Sequence, residues 1–349
     1  MNFKEKILSK SNSFVYYKET NEKLLEEIDL LKNEIENLKS DKRMTLKEDF
    51  LKTYGSAISF CNKYYLDYYM RDDFEDKLKE VTRNLDENSK KKFKWFFLRA
   101  LFTNMISRDS LYFDDELSSQ KIFKDFERNN SELNKVGGFN FFGNYNIHAF
   151  IDLNLNLNEK ELLRNKDIID AGAFTGDTSL PLSRVTEKNV YAFEPFEESF
   201  NLLKMNIEKN NITNIVPINK SLGNINGERI LYFSGENVQG ITSDPNIRSF
   251  DKEIKVEEVT IDKFVKENNV DVGFITADVE GSEINLLEGA INTIKTQKPI
   301  LCISIYHKVS DYFDIIPWIA NLNLGYEFEI FKEHPWPFLA DTVVKCSVK

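Results

Sequence analysis

The chain has 349 residues, 41% of them hydrophobic, so it can bury a large core and is long enough for more than one domain. Acidic residues outnumber basic ones by 57 to 46, and the net charge of −11 argues against a nucleic-acid partner and an electrostatic membrane anchor. Its three cysteines are widely spaced, which argues against a disulfide framework and a zinc site.

The amino terminus gives no targeting signal. Residues 1–6 lack the apolar core of a signal peptide, and no uninterrupted apolar run is long enough to cross a bilayer. We therefore expect a soluble cytoplasmic protein that does not associate with membranes.

Residues 14–38 carry an apolar repeat with alternating intervals of three and four. Its two heptad positions hold Phe14, Asn21, Ile28 and Ile35, and Tyr17, Leu24, Leu31 and Leu38. β-Branched residues at one position, leucines at the other and a single asparagine favour a parallel two-stranded coiled coil. We predict a homodimer through residues 14–38, within an N-terminal segment of residues 1–44. A single amphipathic helix packed on its own domain is the alternative.

Residues 45–150 are predicted to form a helical region and a connector. Helical patterns that are rich in aromatic residues cover residues 50–69, 74–85, 89–106 and 116–126. The aromatic side chains either form a lid over a substrate or pack in the core of a small helical domain. A glycine-rich connector at residues 137–145 leads to a third domain, which we place at residues 151–349.

The third domain alternates strands with helices. Strands are predicted at residues 167–171, 189–193, 214–219, 272–277, 299–305, 326–332 and 341–348, helices at 261–268, 282–296 and 312–322, and an inserted pair of strands at 227–233 and 254–259. A short loop joins the last two strands, so these must pair antiparallel. The pattern predicts an α/β fold with a mixed seven-stranded sheet that has an antiparallel edge.

The most informative segment is the turn from Asp170 to Ser179. A buried strand ends on the Asp170 carboxylate and turns through Gly172 and Gly176 into a helix, at the edge where open α/β sheets bind ligands. The dinucleotide motif needs a glycine where Phe174 stands, and no Walker lysine follows. A carboxylate here repels a diphosphate but suits the sulfonium and amine of S-adenosylmethionine. An ordinary strand–helix turn is the alternative.

A second acidic residue ends the next strand. Glu194 follows the apolar run 190–193 and lies 24 positions after Asp170, the distance that a strand–helix–strand unit requires. A carboxylate there can accept hydrogen bonds from both hydroxyls of a ribose. The two acidic strand ends together indicate a nucleoside-containing cofactor on a Rossmann-like sheet.

Three motifs occur in an order that carries a family resemblance. They are the turn 170–178, Ala192-Phe-Glu-Pro195, and Asp278-Val-Glu-Gly-Ser-Glu283 followed by Leu287-Glu-Gly-Ala290. With these motifs, residues 165–347, about half of the chain, resemble the FkbM family of S-adenosylmethionine-dependent methyltransferases. The family often has Lys-Ile before its third motif, whereas this chain has Thr276-Ala277. The resemblance implies a Rossmann-like class I methyltransferase fold, here preceded by the helical region and the coiled coil.

The resemblance also implies which residues bind the cofactor. The turn would hold the methionine part of S-adenosylmethionine, Glu194 the ribose, and Ser221 with Leu222 the adenine. The full implied set is Asp170, Gly172, Phe174, Thr175, Gly176, Asp177, Thr178, Glu194, Pro195, Ser221, Leu222 and Asp278.

Three residues are candidates for catalysis: Asp278, Glu280 and His307. Asp278 and Glu280 follow one predicted strand, where either could contact the methionine amine, act as a base or bind a divalent metal. Glu280 and Glu283 could instead favour the positive end of the next helix. His307 follows the next strand, and a histidine with a pKa of ~6.5 suits a general base. Asp278 and two histidines could hold a metal ion, but their spacing is not local, so no metal site is predicted.

Methyl transfer to a hydroxyl requires removal of a proton from a weakly acidic alcohol. The leading interpretation is O-methylation of a sugar or glycan hydroxyl, where the acceptor class comes from the family resemblance alone. Aromatic residues that suit stacking on a sugar ring, or equally core packing, are Tyr306, Phe313, Trp318 and Trp336. The alternatives are methylation of a nitrogen or carboxylate on a small molecule, and a catalytically silent scaffold assembled through the coiled coil.

Overall fold

The computed structural model describes residues 63–101, 135–143, 155–234, 237–246, 249–332, 339 and 341–348. The predicted coiled coil at 14–38, the helix at 116–126, His148, His334 and Trp336 lie outside the described residues. The described residues form two compact units, the smaller one containing residues 63–72, 94–101 and 339. None of the described helices is both long enough and apolar enough to cross a membrane.

The described elements follow one another as expected for an α/β chain. The helices are α1 (Lys63–Tyr69), α2 (Phe74–Thr82), α3 (Glu87–Leu101), α4 (Leu157–Leu163), α5 (Ser179–Leu182), α6 (Glu197–Lys209), α7 (Ile261–Asn268), α8 (Glu283–Gly289), α9 (Ile291–Gln297) and α10 (Val309–Ala320). The strands are β1 (Lys135–Val136), β2 (Phe139–Asn140), β3 (Asp167–Ala171), β4 (Val190–Phe193), β5 (Ile215–Ile218), β6 (Ser221–Leu222), β7 (Gly227–Ser234), β8 (Asn237–Thr242), β9 (Lys252–Val259), β10 (Val272–Ala277), β11 (Ile300–Ser304), β12 (Tyr326–Lys332) and β13 (Thr342–Val348).

A seven-stranded mixed sheet forms the centre of the larger unit. Its order is β12-β13-β11-β10-β3-β4-β5. The strands from β11 to β5 are parallel, and β13 is antiparallel to both of its neighbours. This sheet confirms the predicted fold class, and each of its strands agrees with the prediction to within one residue at either end.

The position of each strand in this sheet explains its burial. All five residues of β3 are buried, because a central parallel strand is covered on both faces. The edge strand β12 instead alternates, with Tyr326, Phe328 and Ile330 buried and the intervening Glu327 and Glu329 exposed. The central strands β3, β4, β10 and β11 run parallel to one another, so their carboxyl ends share one edge.

A second sheet of four strands has the order β6-β9-β7-β8. Its centre is the antiparallel pair of β7 and β9, which is the inserted pair predicted at 227–233 and 254–259. The flanking strands β6 and β8 were not predicted. Each is held by a neighbouring strand rather than by an apolar pattern of its own.

The single helix predicted at residues 282–296 is two helices, α8 and α9. The break lies at Ala290, whose φ of −110° and ψ of 3° are not helical. A Cβ atom on the preceding Gly289 would lie 1.9 Å from the carbonyl oxygen of Gly223. Only glycine permits that approach, so contact with a segment distant in sequence accompanies the end of α8.

Candidate functional site

The predicted site residues meet at the carboxyl edge of four neighbouring parallel strands. Asp170 lies in β3, Glu194 follows β4, Asp278 follows β10, and His307 follows β11. The backbone N–H of Asp278 donates a hydrogen bond to the carbonyl oxygen of Ala171 at 3.0 Å. The loop after β10 is thereby fixed against the turn after β3, at the edge where such sheets bind ligands.

Gly172 allows these two segments to touch. Its φ of +82° lies in the left-handed region, and a Cβ atom on it would lie 2.0 Å from the carbonyl oxygen of Asp278. Phe174 and Gly176 also have positive φ angles, of 46° and 94°. Backbone conformation and close packing therefore explain the glycines of this turn without any bound phosphate.

The carboxylate of Glu194 is buried and is held by two backbone donors. It accepts hydrogen bonds from the N–H of Phe174 at 2.9 Å and from the N–H of Phe196 at 2.8 Å. Burial raises the pKa of Glu194 to about 7, although these two hydrogen bonds act in the opposite direction. Glu194 thus joins the end of β4 to the glycine turn.

The Asp170 carboxylate is only 2% exposed and accepts a hydrogen bond from the Ser179 hydroxyl at the start of α5. Burial raises the pKa of Asp170 to about 7; the Ser179 hydrogen bond lowers it, and the charges of Asp177, Glu194 and Asp278 raise it further. A bound cation would favour the ionised form of these carboxyls and a bound phosphate would oppose it, so the edge suits a cationic ligand better than a phosphate.

The other implied cofactor residues of the turn lie around these two carboxylates. Thr175 and Asp177 are buried, and Thr178 and Pro195 are half-buried. The fully buried Asn206 of α6 donates hydrogen bonds to the carbonyl oxygens of Thr175 and Phe142, at 2.8 and 2.9 Å. Asn206 therefore fixes the turn to α6.

Ser221 and Leu222 form the short strand β6 of the second sheet, and both are buried. The segment that leads to them is fixed to the end of β4, because the Asn219 side chain donates a hydrogen bond to the Glu194 carbonyl oxygen at 2.9 Å. Their predicted contact with adenine remains a prediction.

His307 lies among three carboxylates. Its Nδ1 is 2.8 Å from Glu283 Oε1, while its Nε2 is 3.1 Å from Asp278 Oδ1 and 3.5 Å from Glu280 Oε2. Burial alone would lower the pKa of His307, but the neighbouring carboxylates of Glu283 and Asp278 raise it well above its ordinary value. Neither ring nitrogen faces open space.

Asp278 is the accessible member of this group, with 48% of its side chain exposed. The Tyr306 hydroxyl donates to its carboxylate, at 3.1 Å from Oδ2. Desolvation would raise the pKa of Asp278, but the nearby imidazole of His307 and the hydrogen bonds of Tyr306 and Ser304 hold it below its usual range. Asp278 is therefore an ionised acceptor that a substrate can reach.

The aromatic residues proposed for sugar stacking have different surroundings. Tyr306 lies at the edge beside Asp278, and its ring centroid is 4.1 Å from that of His307. Phe313 is fully buried and packs edge-to-face against Phe93, which places it in the core. Trp318 is half-buried in α10.

Residues 170–328 match the family model described as a methyltransferase FkbM domain. The chain carries an FkbM domain. The matched segment begins at Asp170 and contains Glu194, Asp278 and His307, all of which lie at the edge described above. No curated protein matches the sequence.

Solved structures of low sequence identity also resemble the chain. An FkbM methyltransferase from Methylobacillus flagellatus KT is 18% identical over 81% of this chain and 62% of its own, with a TM-score of 0.49. The chain thus spans less than two thirds of that protein. A putative methyltransferase from Streptococcus mutans in complex with SAH is 14% identical over 54% of this chain and 93% of its own, with a TM-score of 0.36. An rRNA methylase from Streptococcus thermophilus is 14% identical over 55% of this chain and 92% of its own, with a TM-score of 0.36.

Three residues that support the site of the FkbM domain were not recognised as such from the sequence. Ser179 donates a hydrogen bond to Asp170, and Asn206 donates one to the Thr175 carbonyl oxygen in the turn. Glu283 contacts Nδ1 of His307. Asn206 could have been found, because it shares the buried face of α6 with Leu203 and Ile207. The bond between Glu283 and His307 connects two elements and has no local signal.

The unfolding free energy of the FkbM domain should fall as the pH rises from about 4 to about 7. Asp170 and Glu194 have folded-state pKa values of about 7, against about 4 when unfolded. The folded chain therefore keeps protons that the unfolded chain has released, and stability is lost as these carboxyls ionise. Each group contributes up to ~1.4 kcal/mol per pH unit.

Urea denaturation across this pH range measures the effect. Asp170→Asn, which cannot ionise, should flatten the curve, whereas Asp271→Asn removes an exposed carboxylate and should leave it unchanged. Stability that rises with pH over this interval would contradict the assignment of protonated carboxyls at this edge.

Proposed function

We propose that this chain is an S-adenosylmethionine-dependent O-methyltransferase that acts on a hydroxyl of a sugar or glycan. The observation that carries the proposal is the meeting of Asp170, Glu194 and Asp278 at one strand edge within an FkbM domain. The cofactor would supply a methyl group on a positively charged sulfur. The acceptor class follows from the family resemblance.

The charge of the edge supports this cofactor. Asp170 is buried beside Asp177, Glu194 and Asp278, and its ionisation is opposed by their charges. A bound sulfonium and amine would offset that repulsion, whereas a diphosphate would add to it. Asp170 would therefore favour the cationic cofactor over a dinucleotide.

Glu194 retains the hydrogen-bonding capacity that a ribose requires. Each carboxylate oxygen has two lone pairs, and the N–H groups of Phe174 and Phe196 use one on each oxygen. One acceptor position per oxygen remains, which matches the two hydroxyls of a ribose. The two backbone donors would fix the carboxylate before the cofactor binds, so little side-chain entropy would be lost on binding.

We propose that the acceptor hydroxyl binds next to Asp278, which removes its proton. Its carboxylate is exposed, and the Tyr306 hydroxyl and His307 orient it. As the bond between carbon and the acceptor oxygen forms and the bond between carbon and sulfur breaks, the hydroxyl proton would pass to Asp278. His307 would position Asp278 and would not contact the substrate, because both of its nitrogens face carboxylates.

Transfer of label from S-adenosylmethionine with an isotopically labelled methyl group tests this function. The full chain is incubated with separate pools of monosaccharides, nucleotide sugars, amines and carboxylic acids. The proposal predicts label in a sugar product that survives mild base, because a methyl ether resists base and a methyl ester does not. Label in amines or in a base-labile product, with none in sugars, would contradict it.

A further inference from the structure

A compact group of ligand-type side chains lies beside the proposed acceptor position. One oxygen of Asp278, one oxygen of Glu283 and a ring nitrogen of His307 all lie within 4.8 Å of one another. A fourth side chain, Glu280, follows the strand that also leads to Asp278. The group is small enough to surround a single ion.

The Nε2 atom of His307 is the unexplained member of this group. It is buried on a side chain that is only 6% exposed, and it has no hydrogen-bond partner. Asp278 Oδ1 lies 3.1 Å away and Glu280 Oε2 lies 3.5 Å away, but neither contact satisfies Nε2 as a hydrogen bond. Distances of about 3 Å separate neighbouring ligands of one metal ion when each bond is about 2.1 Å.

The opposite side of the ring is already held. Nδ1 lies 2.8 Å from Glu283 Oε1, which also accepts the backbone N–H of Val279 at 3.1 Å. Glu283 is fully buried, and its Oε2 has no hydrogen-bond partner. A buried carboxylate that accepts Nδ1–H fixes the tautomer and aims Nε2, as in metal sites in which a carboxylate supports the ligating histidine.

We propose that this chain binds one divalent first-row cation through Nε2 of His307 and the carboxylates of Asp278 and Glu280. Glu283 would orient the imidazole from the other side. One imidazole nitrogen with two carboxylates suits Mn²⁺ or Zn²⁺, whereas Mg²⁺ and Ca²⁺ prefer sites made of oxygen alone.

The cation would also have a role in catalysis, and that consequence rests on the proposed function. The cation would bind Oδ1 of Asp278, which lies 3.1 Å from Nε2 of His307. The acceptor hydroxyl would bind Oδ2, which lies 3.1 Å from the Tyr306 hydroxyl. A cation next to the acceptor oxygen would lower the pKa of the hydroxyl and reduce the demand on the base.

Manganese binding by the full chain after treatment with a chelator tests the site. Electron paramagnetic resonance measures free Mn²⁺, and calorimetry with Zn²⁺ and with Mg²⁺ runs in parallel. We expect one equivalent of saturable Mn²⁺ or Zn²⁺ binding that is lost in His307→Gln and at least ~10-fold weaker in Glu280→Gln. Glu257→Gln, which removes an exposed carboxylate of the second sheet, should bind like the unaltered chain.

Glu280 is partly exposed, so Glu280→Gln gives a result even if His307→Gln fails to fold. In histidine nuclear magnetic resonance spectra, Mn²⁺ should broaden one of the three imidazole signals, and that signal should be absent from His307→Gln. Absence of saturable binding, or equal binding by all three variants, would overturn the proposal. Titration of the same samples with S-adenosylhomocysteine reports the proposed function separately.

Discussion

Replacing Gly172 with alanine should lower the unfolding free energy by about 4 kcal/mol and abolish cofactor binding. The new Cβ atom would lie 2.0 Å from the Asp278 carbonyl oxygen, and the φ of +82° is unfavourable for alanine. Backbone atoms cannot move aside as a flexible side chain can, so the glycine turn and the loop after β10 must separate. Urea denaturation and calorimetry with S-adenosylhomocysteine measure the two effects.

Gly325 provides a matched control. Its φ is +83°, and a Cβ atom there would meet nothing within 4 Å. Gly325→Ala should therefore lower the unfolding free energy only by the conformational strain of alanine at positive φ, about 1 kcal/mol. The difference between the two variants gives the free energy of the close approach at Gly172. Equal losses of unfolding free energy in the two variants would show that the close contact of Gly172 with the Asp278 carbonyl oxygen does not stabilise the fold.

Asp278→Asn should lower kcat by about 10³-fold while changing the affinity for S-adenosylmethionine by only a few-fold. Asparagine keeps the size of the side chain and can still accept from Tyr306, but it cannot take the hydroxyl proton. This variant therefore distinguishes a role of Asp278 in proton removal from a role in cofactor binding. Initial rates with an unmethylated acceptor identified in the labelling experiment, together with calorimetric titration of the cofactor, measure both quantities.

Asp271→Asn is the matched control for this change, because Asp271 is exposed and paired with Lys166 on the amino-terminal side of β10. It should leave both kcat and cofactor affinity unaltered. If Asp278→Asn instead weakened cofactor binding and left kcat unchanged, Asp278 would belong to the methionine-binding side and another group would remove the proton.

The central sheet could be predicted because its strands are short apolar runs with distinct ends. Val272–Ala277 is such a run, and the observed strand has the same bounds. The antiparallel edge followed from the short connection between the last two strands, since a parallel pair would need a long crossover. The meeting of Asp170 and Glu194 at one edge followed from the same reasoning, because the ends of adjacent parallel strands are neighbours.

Features that depend on contacts distant in sequence could not be predicted. The break between α8 and α9 accompanies the approach of Gly289 to Gly223, and the orientation of His307 depends on Glu283, 24 residues earlier. Asn206 bonds to Phe142, which is 64 residues away. Such pairs have no periodicity or local spacing. The homodimer through residues 14–38 lies outside the described residues and stays a prediction.

Calorimetric titration of the full chain with S-adenosylhomocysteine, with NADH as the comparison ligand, tests the central claim most directly. We predict micromolar binding of S-adenosylhomocysteine, no binding of NADH, and an affinity for S-adenosylhomocysteine that is weaker in Asp170→Asn by roughly 10-fold or more. Binding of NADH in preference, or no binding of S-adenosylhomocysteine, would contradict the assignment of the acidic edge to this cofactor.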